Sequence, residues 1–326
     1  MSDKNAPPTD LKTGPEFFKM IKPRQLAELV RMDHPESVLD EVLHILNSIS
    51  PDFDTAPISS ALDKIVELYE GRWPGYQACN TDYHDLKHIT DTFLATARLV
   101  HGAINSGVEL SECHITTSLI ATLVHDTGYI QREDDLEGTG AKYTTTHVRL
   151  SIGFLQRHGT EFGLSDEEIV DAGTMILCTD LAVVVPSVSF PSPEIELLSK
   201  TLGTTDLLAQ MGDRIYLEKL LFLYYEFKEG NAGDYQSEAD LLHKTIGFYD
   251  FVFQRLETVL DNVQQYMAAH FAARWDINKN LYQIAIDFEK KYLESLFVKP
   301  DIDPRMYLRR DGIVERVREK YGDQGY

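Results

Sequence analysis

The chain has 326 residues, of which 43% are hydrophobic and 25% charged, as expected for a globular protein whose core needs no disulfides. Its net charge of −21 disfavours nucleic acids and anionic membranes as partners. The three scattered cysteines, Cys79, Cys113 and Cys178, form no CxxC pair, and the amino terminus has no apolar leader. These features predict a cytoplasmic protein.

The amino-terminal part of the chain has a weak helical pattern. Residues 1–15 lack periodicity and predict a loose tail, and prolines interrupt the helical pattern that continues to Ser50. We therefore interpret residues 1–55 as a tail and helical extension. The next segment, ALDKIVELYEG, predicts a helix ended by Gly71. Its apolar face consists of Leu62, Ile65, Val66 and Tyr69.

Further helices are predicted along the rest of the chain. Ser165 and Glu168 have the spacing of a capping box at the start of a helix. The ranges 206–229 and 245–269 also have helical patterns, whereas the apolar run at 181–190 contains Pro186 and predicts a loop.

With no set of strands to pair, the sequence predicts an all-α fold with one main domain. We assign residues 56–270 to this domain. Residues 271–326 are predicted to form a carboxyl-terminal helical extension packed on the core.

Three segments carry the residues of a candidate site. YHDLKH places His84 and His88 four residues apart, a spacing that brings two side chains to one face of a helix. LIATLVHDTGY ends an apolar run with His125 and Asp126, and TTDLLAQ contains Asp206. Each segment alone has a simpler interpretation, since a histidine pair is often a surface feature and an aspartate often caps a helix.

The His125-Asp126 pair indicates metal binding because its neighbours are apolar. Two polar residues at the end of a buried helix need partners, and a divalent ion satisfies both at once. Imidazole together with carboxylate suits Zn²⁺, Mn²⁺, Fe²⁺ or Mg²⁺.

In their order, these segments resemble the HD superfamily of metal-dependent phosphohydrolases, and in detail the catalytic domain of class I cyclic-nucleotide phosphodiesterases. YHDLKHITD resembles the family's YHNxxHAxD, HDTGY its HDxxH, and RLSIGFL its HLAVGFKLL. MILCTDL is similar to its MVLATDM, TTDLLAQ to its ADLSNP-like segment, and KTIGFYDFV to its SQVGFIDYI. The six matches keep the family's order over residues 60–265.

The resemblance implies a compact multi-helix domain of the HD phosphodiesterase type with two divalent ions. It implies that hydroxide held between the ions attacks phosphorus, that Asp126 bridges the ions, and that His84 protonates the leaving sugar oxygen. Tyr83 and Asp180 would support the site by flanking His84 and orienting ligands. The first metal would be held by His88, His125, Asp126 and Asp206.

Several positions depart from the family pattern. Tyr129 stands where the family has a second histidine, and Asp85 replaces an asparagine. Thr146 stands where the family has a glutamate, but His147 follows it and aligns with a histidine that binds the second metal in broader HD phosphohydrolases. His147 is therefore either a ligand of the second metal or a helix-capping or solvent-facing residue.

The sequence predicts the type of reaction more narrowly than the identity of the substrate. Thr245 occupies the position of the glutamine that binds a purine in the family, whereas Phe248 keeps the aromatic platform for a base. The leading expectation is hydrolysis of a cyclic nucleotide, a small phosphorylated partner. The alternatives are an HD-type nucleotidase or other phosphomonoesterase, and a non-catalytic module that binds a ligand.

Overall fold

The computed structural model describes residues 25–298 and 303–322. These residues form twelve α-helices joined by loops and short 3₁₀ turns, with no strand among them, so the prediction of an all-α fold is confirmed for this part of the chain. The predicted loose tail lies outside the described residues. The helices are α1 Pro35–Ile49, α2 Ala56–Tyr69, α3 Leu86–Asn105, α4 Glu112–Val124, α5 His147–His158, α6 Asp166–Leu177, α7 Pro193–Met211, α8 Tyr216–Glu229, α9 Glu238–Thr258, α10 Met267–Trp275, α11 Leu281–Leu296 and α12 Ile313–Tyr321.

Local sequence signals account for several of these boundaries. Pro35 begins α1, where its missing N–H costs no helical hydrogen bond. α6 starts with the predicted capping box, in which Ser165 and Glu168 each accept the other's backbone N–H. The predicted helix over ALDKIVELYEG is present as α2, and Gly71 follows it with φ of +74°.

Helix α3 lies at the centre of the molecule. Every residue from His88 to Ala103 is buried, because α3 packs against α1, α4, α7 and α10. α4 in turn contacts α2, α6 and α7, and α8 contacts α9 and α12. The helices that carry the predicted site therefore also form the core.

The prediction of one helix over residues 206–229 is wrong. α7 continues through Asp206 to Met211, and α8 starts only at Tyr216. Glycine has low helix propensity, and Gly212 lies at the break. The Asp213 carboxylate then accepts the backbone N–H of Ile215 at 3.3 Å, which favours a turn. Asp206 consequently lies inside a helix and is not a helix cap.

The helix predicted over residues 245–269 is also interrupted. α9 begins earlier, after the capping hydroxyl of Ser237, and ends at Thr258. Asp261 and Asn262 follow with φ of 52° and 55°, a left-handed conformation that these side chains tolerate better than most and that cannot continue a helix. The run 181–190 is a loop with one short 3₁₀ turn, as predicted.

The predicted extensions pack against the main helices. α1 contacts α3, while α11 contacts α7, α8 and α9. α10 spans residue 270, so the proposed domain boundary falls within a helix. None of the helices in the described residues combines the length and the apolar character needed to cross a membrane.

Candidate metal centre

Three central helices bring the predicted metal ligands together. His88 lies in the first turn of α3, His125 and Asp126 follow the last residue of α4, and Asp206 lies in α7. Because α3, α4 and α7 pack against one another, these residues meet although they are distant in sequence. His88, His125 and Asp126 are at most 5% exposed.

The donor atoms of His88, His125 and Asp206 have separations expected of ligands around one ion, and an Asp126 oxygen lies beside the two histidines. Nε2 of His88 lies 3.1 Å from Oδ1 of Asp206, 3.3 Å from Oδ2 of Asp126 and 3.3 Å from Nε2 of His125. Nε2 of His125 lies 3.5 Å from the same Asp126 oxygen and 3.6 Å from the same Asp206 oxygen. Ligands at about 2.1 Å in a tetrahedral site stand about 3.4 Å apart. His88, His125 and Asp206 therefore fit one divalent ion, and Oδ2 of Asp126 adjoins both histidines.

Backbone carbonyls orient two of the imidazoles. Nδ1 of His125 lies 2.7 Å from the carbonyl oxygen of Thr122, and Nδ1 of His147 lies 2.7 Å from that of Thr144. A carbonyl only accepts, so each Nδ1 carries a proton and donates it. Nε2 is then the free donor atom on each ring, which is the arrangement seen in metal-binding histidines.

The histidines and aspartates of the cluster shift one another's pKa values strongly when no metal is bound. Burial works against protonation of His88, but its hydrogen bonds with Asp126 and Asp206 outweigh burial and raise its pKa to about 10. Burial likewise opposes ionisation of the two carboxylates, yet the neighbouring histidines hold both aspartate pKa values below their ordinary value. The metal-free site therefore carries a proton on His88 between ionised aspartates at neutral pH.

The two carboxylate oxygens of Asp126 face different histidines. Its Oδ2 points toward His88 and His125, while its Oδ1 lies 3.5 Å from Nε2 of His147. His147, the first residue of α5, thus turns toward the cluster, with 23% of its side chain exposed. Gly128 permits this approach, because a Cβ there would lie 2.0 Å from the His147 carbonyl oxygen.

His84 pairs with a buried glutamate beside the cluster. Its Nδ1 lies 2.7 Å from Oε2 of Glu226 in α8. Glu226 is 3% exposed, and its other oxygen accepts the backbone N–H groups of Asp82 and Tyr83 at 2.8 and 2.7 Å. The carboxylate is therefore fixed, and it orients His84 so that Nε2 is free for a ligand.

His84 does not share a helix with His88. α3 begins at Leu86, and Asp85 is its N-cap, whose carboxylate accepts the backbone N–H of His88 at 2.9 Å. Asp85 has the extended conformation of an N-cap and the residues just before it form bends, so the four-residue spacing is not a helical one. The rings of His84 and His88 nevertheless lie 6.0 Å apart.

Aromatic residues flank His84. Tyr83 contacts it edge to face, with ring centroids 4.9 Å apart, and donates its hydroxyl to Gln210. Tyr129 is 1% exposed and stacks on His84 at 4.2 Å and on His147 at 4.5 Å. The tyrosine that departs from the family pattern thus contacts both imidazoles as a flat apolar surface. Burial and the Asp126 charge raise its pKa well above the ordinary value, so it is a neutral phenol.

A cavity of about 320 Å³ opens beside the cluster. Its polar end includes His84, Asp126, His147 and Asp206, and its far wall is largely apolar. A site with this contrast favours a ligand that has one charged end and one flat or apolar end. The apolar wall includes Leu207, Leu220, Leu223, Phe227, Leu241 and Phe248.

The remaining predicted residues line this cavity. The Thr245 hydroxyl donates to the Leu241 carbonyl of its own helix at 2.8 Å, and Phe248 stacks on Phe251 at 5.9 Å. Asp180 also lines the cavity, but its carboxylate accepts the Ala182 N–H at 2.8 Å and so holds a loop, with no direct contact to the four-donor cluster.

Sequence reasoning did not predict the roles of Glu226 and Gln210. A charged residue within the buried helix α8 was the available signal for Glu226. Gln210 lies one turn after Asp206, where its side-chain amide donates to the Asp206 carbonyl at 3.1 Å and its oxygen accepts from Tyr83 at 2.7 Å. It links the two halves of the site.

In comparisons with known proteins, no family model matches the chain and no curated protein gives a significant match.

Proposed function

We propose that this protein is a metal-dependent phosphohydrolase that hydrolyses the phosphodiester bond of a cyclic nucleotide. The observation that carries the proposal is the group His88, His125 and Asp206, whose donor atoms are close enough together for one ion, with Asp126 adjoining both histidines beside a cavity. The ordered resemblance to class I phosphodiesterases supplies the reaction class.

The residues fit a divalent ion, which when bound lowers the pKa of water and neutralises phosphoryl oxygens. The chain's own groups place the substrate and move the protons. Oδ1 of Asp126 and Nε2 of His147 face each other at 3.5 Å, which supports a second ion beside the first. The number and identity of the ions belong to the proposal.

His84 is the proposed general acid. Glu226 accepts its Nδ1–H, so that Nε2 is the atom that would deliver a proton to the leaving oxygen in the cavity. Tyr83 and Tyr129 pack against the ring and restrict its rotation. A sugar alkoxide is a poor leaving group, so its protonation is the step that His84 is suited to perform.

The cavity supports a nucleotide-sized substrate. A phosphate at the polar end would place an attached ring against Leu207, Leu241 and Phe248. The Thr245 hydroxyl proton is committed to Leu241, so this position has no free donor for a base. The proposed site therefore holds a base mainly by stacking.

A nucleotidase of the broader HD type is the second candidate. It is favoured by His147, which faces Asp126 as the corresponding histidine of those enzymes implies, and by the lack of an amide at Thr245. A phosphomonoester would bind at the same cluster, and its hydrolysis would release an alcohol from a terminal phosphate.

The test is turnover by purified, metal-loaded protein of 3′,5′-cyclic nucleotides, linear dinucleotides and nucleoside monophosphates. We expect cyclic substrates to be hydrolysed. Asp126→Ala should lose bound metal and nearly all turnover, whereas the matched control Asp134→Ala, at an aspartate with 89% of its side chain exposed, should retain both.

Monophosphate turnover alone would favour the nucleotidase. Metal binding without any turnover would favour the non-catalytic module. Unchanged activity in Asp126→Ala would refute the proposed centre altogether.

A further inference from the structure

A very small cavity adjoins His88. Its volume is about 10 Å³, close to the space that one water molecule requires. A cavity of this size retains water only when polar groups surround it. The lining residues are mostly polar: Tyr83, His88, Asp91, Gln210, Asp213, Tyr216 and Lys219.

Asp91 presents an unsatisfied oxygen in this region. It lies on α3 three residues after His88 and is 2% exposed. Its Oδ2 accepts from Lys87, but its Oδ1 has no hydrogen-bond partner among the described residues. A buried carboxylate oxygen without a partner is costly, so a small donor beside it would be strongly favoured.

His88 differs from the other two histidines near Asp126. His125 and His147 each donate Nδ1–H to a backbone carbonyl. His88 directs Nε2 toward the two aspartates, so Nδ1 is the ring nitrogen left for an outer partner. Metal-binding histidines almost always donate this second N–H to a carboxylate, a carbonyl or a water molecule.

We propose that the small cavity holds one ordered water molecule that accepts Nδ1–H of His88 and donates to Oδ1 of Asp91. Asp91 is then a positioning residue, which fixes the tautomer and the ring plane of the proposed metal ligand through this water. The inference rests on the proposed metal centre, and it assigns a role to a residue that contacts neither metal nor substrate.

Asp91 is held in place independently of His88. Lys87 binds Asp91 and also lies 3.0 Å from Oδ2 of Asp213. Burial alone would lower the pKa of Lys87, but the two carboxylates overcome it and raise that pKa above its ordinary value. The ion pair therefore presents Asp91 to the cavity whether or not a metal is bound.

The experiment is a titration of the purified full chain with Zn²⁺ against a chromophoric chelator. Asp91→Ala should weaken Zn²⁺ affinity by about 10- to 100-fold, as loss of an outer partner does in other sites. Asp91→Asn keeps an acceptor oxygen and the side-chain shape, so it should bind with intermediate affinity. This variant also tests the inference if the alanine variant folds poorly.

Lys87→Met is the matched control. It removes the ion pair with Asp91 but keeps the Asp91 side chain, so Zn²⁺ affinity of the folded protein should fall less than in Asp91→Ala, while its stability falls. If Asp91 acted only through the ion pair, Lys87→Met and Asp91→Ala would weaken binding equally, and the inference would be wrong.

Two further outcomes separate the inference from the proposed function. If wild type binds Zn²⁺ and Asp91→Ala binds it equally well, the water bridge is refuted and the metal centre stands. If wild type binds no divalent ion, the metal centre itself fails. A high-resolution crystal structure with water between His88 and Asp91 would support the bridge, and one with a dry cavity would overturn it.

Discussion

Glu226 offers the sharpest test of the proposed acid. In Glu226→Gln, the amide oxygen can still accept the backbone N–H groups of Asp82 and Tyr83, so the fold should be retained. The amide nitrogen then faces Nδ1 of His84, which lies 2.7 Å from Oε2 in the wild type. The His84 ring, which is the proposed proton donor, would then meet another donor in place of its carboxylate partner.

We expect Glu226→Gln to lower turnover of a cyclic nucleotide by about 10²- to 10⁴-fold, the usual contribution of a general acid. This range corresponds to about 3–5 kcal/mol in the activation free energy. Glu226→Ala is a poorer test, because two buried N–H groups without an acceptor cost about 1–3 kcal/mol each and would destabilise the fold.

The assay compares two substrates in the same preparation. Bis(p-nitrophenyl) phosphate has a leaving group that needs little protonation, so its hydrolysis by Glu226→Gln should fall far less than hydrolysis of the cyclic nucleotide. Metal content should equal that of wild type. Equal losses on both substrates, or none on the cyclic nucleotide, would refute the role assigned to the His84–Glu226 pair.

Four further predictions concern His88, Gly128 and Arg98. Because the pKa of His88 is raised to about 10 without metal, Zn²⁺ must displace the His88 proton at pH 7. The affinity for Zn²⁺ should therefore rise as pH rises from 6 to 9. Calorimetry in buffers of different ionisation enthalpy should detect the released proton. The same raised pKa stabilises the metal-free protein below the ordinary histidine pKa, and this contribution should be lost as pH rises through about 10. Gly128→Ala should cost about 1–3 kcal/mol in denaturant unfolding and weaken binding of a second ion, since its Cβ would meet the His147 backbone; full stability would contradict this. Arg98→Met should change stability by less than about 2 kcal/mol, because Nε and Nη2 of this fully buried arginine have no hydrogen-bond partner within residues 25–298 and 303–322. A larger loss in the unfolding free energy would show that its hydrogen bond to Tyr282 and its cation–π contacts dominate.

Local signals in the sequence predicted part of the fold. The capping box at Ser165 and the glycine at Gly71 act within one helical turn, and both boundaries were predicted from them. Gly212 lies within an apolar run whose periodicity masks the break, so α7 and α8 were predicted as one helix. A helix end set by a single glycine and a side-chain turn leaves little trace in a pattern of hydrophobic residues.

The candidate site, like the fold, could be predicted from the sequence only in part. The structure brings together His88, His125, Asp126 and Asp206, which the family resemblance marked as ligands. The pairing of His84 with Glu226 depends on how α8 packs beside the start of α3, and such tertiary contacts have no signature in local spacing. The small cavity beside His88 is likewise a product of packing between α3, α7 and α8.

The position of the cluster at the ends of core helices has a consequence for the whole molecule. An ion held by α3, the end of α4 and α7 would bind the native state and not the unfolded chain. At a free metal concentration 1,000 times the dissociation constant, this linkage adds about 4 kcal/mol to the free energy of unfolding. A chelator would then accelerate hydrogen exchange along the buried length of α3, far from the ligands themselves.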